Sequence, residues 1–208
     1  MRLHGLYLIV DLGVENVLAR VAQALEGGVD VLQLWGSAPN RADVGHELSK
    51  LAKRFSIPLL VQDDLELAKK LGADGVHLDR PEITPQHVRR ALGKDAVVGV
   101  TCSANFEKVL WAAEQGADYI SFCSIFPSPS VAVCDLVPLE VVRRATETVT
   151  IPIFAAGGIT LDNAHLVLEA GVDGLAVSSS ILRAPDPKEA ARRFQDVLRR
   201  YRTPHVVP

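Results

Sequence analysis

One pattern recurs four times along this chain and limits the architectures open to it. Gly28-Val-Asp-Val-Leu-Gln-Leu34, Gly72-Ala-Asp-Gly-Val-His-Leu78, Gly116-Ala-Asp-Tyr-Ile-Ser-Phe122 and Gly171-Val-Asp-Gly-Leu-Ala-Val177 each lead from glycine through aspartate into a mostly apolar run. Their glycines stand 44, 44 and 55 residues apart. A glycine of this kind ends a helix in the left-handed conformation. A short apolar run bounded by such a signal is a buried strand. Recurrence at a near-constant interval marks one supersecondary unit used repeatedly.

Four further strands fall between the repeats: Leu6–Val10, Ile57–Val61, Val97–Val100 and Ile151–Ala155. Pro58 and Pro152 sit at the openings of two of them, where a missing N–H removes no central ladder bond. The stretches between strands are amphipathic, with Val17, Leu18, Val21 and Leu25 on one helical face and Ala190, Phe194, Val197 and Leu198 on another. Thr84 before Pro85, and Asp162 before Asn163, are expected helix caps. Eight β units alternating with α units predict an α/β chain, a single-domain (β/α)8 TIM barrel over residues 1–208. A doubly wound open sheet is the competing architecture. It usually has about six strands and a glycine-rich first turn, whereas the first strand here ends Val10-Asp-Leu-Gly-Val14. The Pro- and Ser-containing segment Phe126–Pro138 is a long loop after the sixth strand, and no linker interrupts the pattern.

Composition narrows the function classes. Of 208 residues, 48% are hydrophobic and 23% charged, as in a soluble globular protein. A net charge of −3 provides no footprint for nucleic acid. No uncharged run approaches the roughly 20 apolar residues of a membrane span, and Leu6–Val10 is too short for a signal peptide. Cys102, Cys123 and Cys134 are an odd number without CxxC spacing, so reduced thiols in a cytoplasmic protein are expected.

In such a barrel the chemistry belongs at the C-terminal strand ends. Gly157 and Gly158 follow the seventh strand; Ser178, Ser179 and Ser180 follow the eighth. These loops are the common place for phosphate, held by backbone N–H groups and a short helix; a tight turn plus a helix cap is the plainer account. Asp63, Asp64 and Glu82 come from neighbouring strand ends and are oxygen ligands of the kind Mg²⁺ takes. Asp64 could instead cap the helix after it. His77 ends the fourth strand and is expected to be packed or hydrogen-bonded; His46, His87 and His165 fall on helices and are expected in solvent. Cys123 is expected as a small buried residue. No lysine stands at a strand end, which argues against Schiff-base chemistry.

Leu6-Tyr-Leu-Ile-Val-Asp11, Val31-Leu-Gln-Leu34, Leu59-Leu-Val-Gln-Asp-Asp64, Ala73-Asp-Gly-Val-His-Leu78, Ile125-Phe-Pro127, Pro152-Ile-Phe-Ala-Ala-Gly-Gly-Ile159 and Asp173-Gly-Leu-Ala-Val177 are together specific. Through them the chain resembles, over nearly its whole length, the thiamine phosphate synthase family, which includes the thiazole tautomerase group. The resemblance implies an enzyme that joins a pyrimidine methyl pyrophosphate to a thiazole phosphate with Mg²⁺ and releases pyrophosphate. It implies catalytic positions at Gln33, Thr101, Ser128 and Ser130, metal ligands at Asp63 and Glu82, and a thiazole-phosphate site at Gly157, Gly158, Ser178 and Ser179. Trp35, Gln62, His77, Arg80 and Ser124 are the expected substrate contacts. A homodimer is plausible on the same ground.

The chain departs from the family where cations are expected. The strand-two motif Gln-x-Arg-x-Lys reads Gln33-Leu-Trp35-Gly-Ser37, and Thr-x-Thr-Lys after strand six reads Ser128-Pro-Ser130-Val131. Three cations for pyrophosphate are thus Trp35, Ser37 and Val131. Arg80 or Arg41 could compensate, and Trp35 could stack on a heterocycle. Some tautomerases carry a histidine near Ser124, where this chain reads Cys123-Ser124; Cys123, His77 or a water would then move the proton. Two alternatives therefore stand beside the synthase: a tautomerase-like enzyme on a phosphorylated heterocycle, and a barrel that binds such a ligand without turnover.

Overall fold

The structure is a computed structural model that describes residues 3–80, 82–127 and 136–201. Ser128, Ser130, Val131 and Cys134 lie outside the described residues. Eight parallel strands close into a barrel in sequence order: β1 (Gly5–Asp11), β2 (Val31–Trp35), β3 (Leu59–Gln62), β4 (Gly75–Leu78), β5 (Val97–Cys102), β6 (Tyr119–Phe122), β7 (Ile153–Ala156) and β8 (Gly174–Val177). Helices α1 (Val17–Glu26), α2 (Arg41–Phe55), α3 (Leu65–Leu71), α4 (Pro85–Leu92), α5 (Phe106–Glu114), α6 (Leu139–Thr148) and α7 (Ala164–Glu169) connect them. A short α8 (Ser179–Leu182) and the closing α9 (Pro187–Tyr201) follow β8. The open doubly wound sheet is excluded by the β1–β8 pairing, Leu6 opposite Leu175. No helix among the described residues is long and apolar enough to cross a membrane.

The repeat has a structural meaning beyond the helix stop. All four glycines take positive φ, from 58° to 96°. The aspartate two residues on then clamps the preceding strand. Asp30, Asp74, Asp118 and Asp173 each accept, through Oδ2, the backbone N–H of Leu6, Leu59, Val98 and Ile153, at 2.7, 2.9, 2.7 and 2.9 Å. In return each aspartate's own N–H donates to the carbonyl of that same residue at 2.8–2.9 Å. Each even strand is thereby fastened to the odd strand before it at the N-terminal rim. A carboxylate fits because it accepts without needing a proton, and a charged acceptor strengthens the bond.

Two local expectations need correction. Pro58 and Pro152 lie just before β3 and β7, not within them. Their carbonyls nevertheless accept from Leu32 and Ile120 of the neighbouring strands, so only the missing donor keeps them out of the ladder. Asp162 does not cap α7. Asn163 holds the N-cap position, accepting from Thr160 N–H at 2.8 Å and donating to the Gly158 carbonyl at 2.9 Å. His87 closes a capping box with Thr84 at the start of α4.

Side chains that point inward fill the lower barrel with aromatic rings. Tyr7, Tyr119 and Phe154 are fully buried and meet edge to face at centroid distances of 5.4–5.9 Å. Gly99 of β5 makes room: a Cβ there would stand 2.0 Å from the Tyr119 ring. The plug is the floor on which the upper barrel opens.

The clamp predicts an ordered pair of effects. Asp118→Ala strands the buried Val98 N–H and should lower unfolding free energy by about 1.5–3 kcal/mol. Asp118→Asn keeps an acceptor oxygen and should cost less than half as much. Urea unfolding of the three proteins checks both.

Candidate functional site

A cavity of about 510 Å³ opens at the C-terminal end of the barrel. Its floor carries Tyr7, Gln33, His77 and Thr101; its rim carries Trp35, Asp79, Ser124, Gly157, Gly158, Ser178 and Ser179. Strand register explains the convergence. Gln62, His77 and Gly99 are lateral partners across β3, β4 and β5, and Thr101 faces Ser121 across β5 and β6. Alternate residues point inward, so Tyr7 and Ile9 on β1, and Gly99 and Thr101 on β5, share the inner face.

Gly157, Gly158, Ser178 and Ser179 share one wall of the cavity, and Asn163 is a brace of that wall that the sequence pattern did not single out. Gly157 and Gly158 take φ of 87° and 66°. A Cβ on Gly157 would meet Ser124 N at 2.4 Å, and one on Gly158 would meet the Phe126 carbonyl at 2.5 Å. These glycines are therefore required by the close pass of the loop after β6, independently of any ligand. Ser180 Oγ donates to the Ile159 carbonyl at 2.7 Å and ties this loop to α8, while Asn163 braces Gly158. The leading N–H groups of α8 have no intrahelical acceptor. Ser124 packs against Gly157, 1% exposed and at φ 58°, and its Oγ has no hydrogen-bond partner among the described residues.

The carboxylates behave differently from the expectation. Asp63, also at positive φ, turns inward to the β4 loop: Oδ1 accepts from Asp79 N–H at 2.9 Å and Arg80 N–H at 3.3 Å, and Oδ2 faces Arg80 Nε at 3.7 Å. It does not line the cavity. Glu82 is exposed, and among the described residues no three His, Cys, Asp or Glu side chains converge as a metal site. Asp64 caps α3, accepting from Leu67 N–H at 2.9 Å. Arg41 donates to the Gln62 carbonyl at 2.8 Å and pairs with Asp64 at 3.4 Å. Neither Arg41 nor Arg80 reaches the cavity, nor does any other lysine or arginine among the described residues. Asp11 and Asp79 do line it, Asp11 paired with Arg183 at 3.5 Å.

Asp79, just past the end of β4, lines the cavity although no ligand role was expected of it. Its two oxygens accept short hydrogen bonds from Thr101 Oγ1 and Gln62 Nε2. Thr101 Oγ1 also lies 2.7 Å from His77 Nε2, and His77 Nδ1 lies 2.8 Å from the Tyr119 hydroxyl. Burial holds the His77 pKa below the ordinary imidazole value, against the pull of Asp79 and Asp63. Burial likewise keeps both tyrosines protonated. Cys123 lines the cavity; the Cys102 thiol is buried, pushed up to about 12 by desolvation.

Comparison with known proteins places this geometry. The family described as "Thiamine monophosphate synthase" matches residues 6–181. The chain belongs to the thiamine monophosphate synthase family. The thiamine-phosphate synthase of Thioalkalivibrio sulfidiphilus is 37% identical over 199 residues, covering 93% of this chain and 94% of its own. That of Thiobacillus denitrificans is 39% identical over 180 residues, 85% of each. Thiamine phosphate pyrophosphorylase from Pyrococcus furiosus superposes with a TM-score of 0.85 at 33% identity, over 96% of this chain and 97% of that one. A likeness to 3-hexulose-6-phosphate synthase of Salmonella typhimurium (TM-score 0.76, 20% identity) shows the shared barrel alone.

Two outcomes are expected here. Ser124→Ala removes a buried hydroxyl without a partner, so the ligand-free protein should keep its unfolding free energy or gain up to about 1 kcal/mol. His77 is buried neutral with a lowered pKa, so the unfolded chain binds the extra proton. Its contribution is complete above about pH 6.5 and lost as pH falls toward the folded value. Unfolding free energy should therefore drop more steeply below pH 6.5 in the parent than in His77→Gln, measured in urea at several pH values.

Proposed function

We propose that this chain is a transferase of the thiamine-phosphate-synthase kind, joining a pyrimidine methyl diphosphate to a thiazole phosphate. The observation that carries the proposal is one continuous cavity. The glycine-serine wall suited to a phosphate and the Gln33–Thr101 floor suited to a heterocycle face the same space. In the reaction the C–O bond between the pyrimidine methylene and diphosphate breaks, its electron pair leaving with diphosphate, and the thiazole nitrogen supplies the pair for the new C–N bond. The part of this chain is placement. The Gly157, Gly158, Ser178 and Ser179 loops would hold the thiazole phosphate; Gln33 and Thr101 would hold the pyrimidine, and Trp35 would cover it. Ser124 Oγ would take its missing partner from a ligand.

Mg²⁺ is implied by the resemblance. Asp63 is committed to the β4 loop and Glu82 is exposed, so the described carboxylates do not fit a preformed metal centre and no step depends on one. The proposal also includes a cytoplasmic homodimer acting on small molecules.

A second reading has its own observation. No cation lines the cavity among the described residues, and two carboxylates do. Each charged hydrogen bond to a phosphate is worth roughly 1.5–3 kcal/mol. Absence of three would slow departure of diphosphate by several powers of ten. This favours a reaction on a phosphorylated heterocycle with no diphosphate, such as the proton shift of a tautomerase.

The test is turnover. Purified protein is supplied with pyrimidine methyl diphosphate, thiazole phosphate and Mg²⁺, and thiamine phosphate is read as fluorescent thiochrome. Product is expected, at a rate raised at least about tenfold by Trp35→Arg with Ser37→Lys and Val131→Lys. No product from either folded protein retires the synthase reading; thiazole phosphate binding in that sample would point to the second.

A further inference from the structure

Beneath the cavity five hydrogen bonds run without a break from Asp79 to Gln33. They join Asp79 Oδ1 to Thr101 Oγ1, Thr101 to His77 Nε2 (2.7 Å), His77 Nδ1 to the Tyr119 hydroxyl (2.8 Å), Tyr119 to the Tyr7 hydroxyl (2.9 Å), and Tyr7 to the amide of Gln33 (2.8 Å). Direction along this chain is set at the Asp79 end. An ionised carboxylate only accepts. Its second oxygen already accepts from Gln62 Nε2, whose own oxygen takes the Gly36 N–H at 3.2 Å, so Gln62 cannot be turned without losing that bond. The one Thr101 proton therefore goes to Asp79, and the Thr101 oxygen accepts from His77. That places the imidazole proton on Nε2.

The rest follows by counting protons. The groups that face His77 are Tyr7 from β1, Asp63 after β3, Asp79 after β4, Thr101 from β5, Lys108 from α5 and Tyr119 from β6. The ring is buried among them, and above its ordinary pKa it carries a single proton. Its Nδ1 then accepts from Tyr119, and the Tyr119 oxygen accepts from Tyr7. Tyr7 has no proton left, so its oxygen needs a donor from Gln33. With the Gln33 carbonyl toward Tyr7, five bonds would share four protons, and one buried contact would go unmade. The two ends of an amide exchange places by a half-turn with little movement of heavy atoms. Presenting Nε2 to Tyr7 completes the count and turns the carbonyl to the cavity.

We infer that Asp79 is a positioning residue: through Thr101, His77, Tyr119 and Tyr7 it orients the Gln33 amide so that the cavity offers an acceptor and selects a heterocycle bearing an N–H donor there. The chain of bonds holds for any ligand. The ligand class deepens the pyrimidine end of the proposed function, and neither measurement below requires turnover.

The test reads the histidine tautomer directly. Histidine-labelled protein is examined by long-range ¹H–¹⁵N correlation at about pH 8, above the ordinary histidine pKa. The His77 signals are identified by their loss in His77→Gln. The parent should show the Nε2–H tautomer. In Asp79→Asn the side-chain oxygen keeps the bond from Gln62 and its NH₂ donates to Thr101. Every bond then reverses, and His77 should become Nδ1–H. Isothermal titration with an aminopyrimidine and the matching methoxypyrimidine, which has no N–H, supplies the second readout. The parent should prefer the amine at least about tenfold, and Asp79→Asn should lose that preference. An Nδ1–H tautomer or an imidazolium in the parent overturns the inference, as does an unchanged tautomer in the variant or a tautomer that switches while the preference stays. Should Asp79→Asn not fold, the parent's tautomer and preference decide alone.

Discussion

The closed barrel rests on a reciprocal pair of hydrogen bonds made four times over. Asp30, Asp74, Asp118 and Asp173 each hold the N–H of the first or second residue of the preceding odd strand with a carboxylate, while their own N–H groups hold that residue's carbonyl. A parallel strand needs a crossover of a dozen or more residues before it meets its partner, so register cannot come from a tight turn. The clamp supplies it. With the rim pinned at four places, inward and outward side chains are assigned along every strand. Everything placed at the other end, from Gln33 to Ser178, inherits that assignment.

Above the clamp the barrel interior changes character by layers. The Tyr7–Tyr119–Phe154 cluster fills the middle, and Gly99 exists to admit a ring. The two hydroxyls of that cluster carry the polar chain upward to His77, Thr101 and Asp79. Buried polar groups are costly unless paired, and pairing in a chain makes each member depend on the next. The cavity floor is thus one connected polar chain that ends on the Asp79 carboxylate.

The cavity wall combines two demands. Gly157 and Gly158 are needed both for the close approach of Ser124 and Phe126 and for an accessible backbone beside α8. Opposite them the site has few charges of its own: Asp11 is paired with Arg183, Asp79 is bound to Thr101 and Gln62, and Arg41 and Arg80 face carboxylates outside the cavity. Trp35 lines the cavity at a position where the family resemblance implies a cation. This contrast makes turnover the decisive observation for the chain.

The barrel was legible because its evidence is local: glycine stops, apolar runs and helical faces each show within a few residues, and their alternation admits few topologies. The glycine-serine wall was legible for the same reason, since its residues lie in two short consecutive loops. Asp64 as the cap of α3 was likewise readable from its place before the helix. Other roles depended on partners far along the chain. Whether Asp63 offers its oxygens to a metal or to the N–H groups of Asp79 and Arg80 turns on a positive φ and a loop sixteen residues away. Asp79 acquired its partners only when register brought Gln62, Thr101 and His77 beside it. Tyr7 and Tyr119, 112 residues apart, read as core from their neighbours yet form one hydrogen bond. Residue order by itself determined the alternation of elements and so the barrel. Which polar atom meets which was decided by tertiary structure, because hydrogen bonds depend on distance and direction between strands that the sequence keeps far apart.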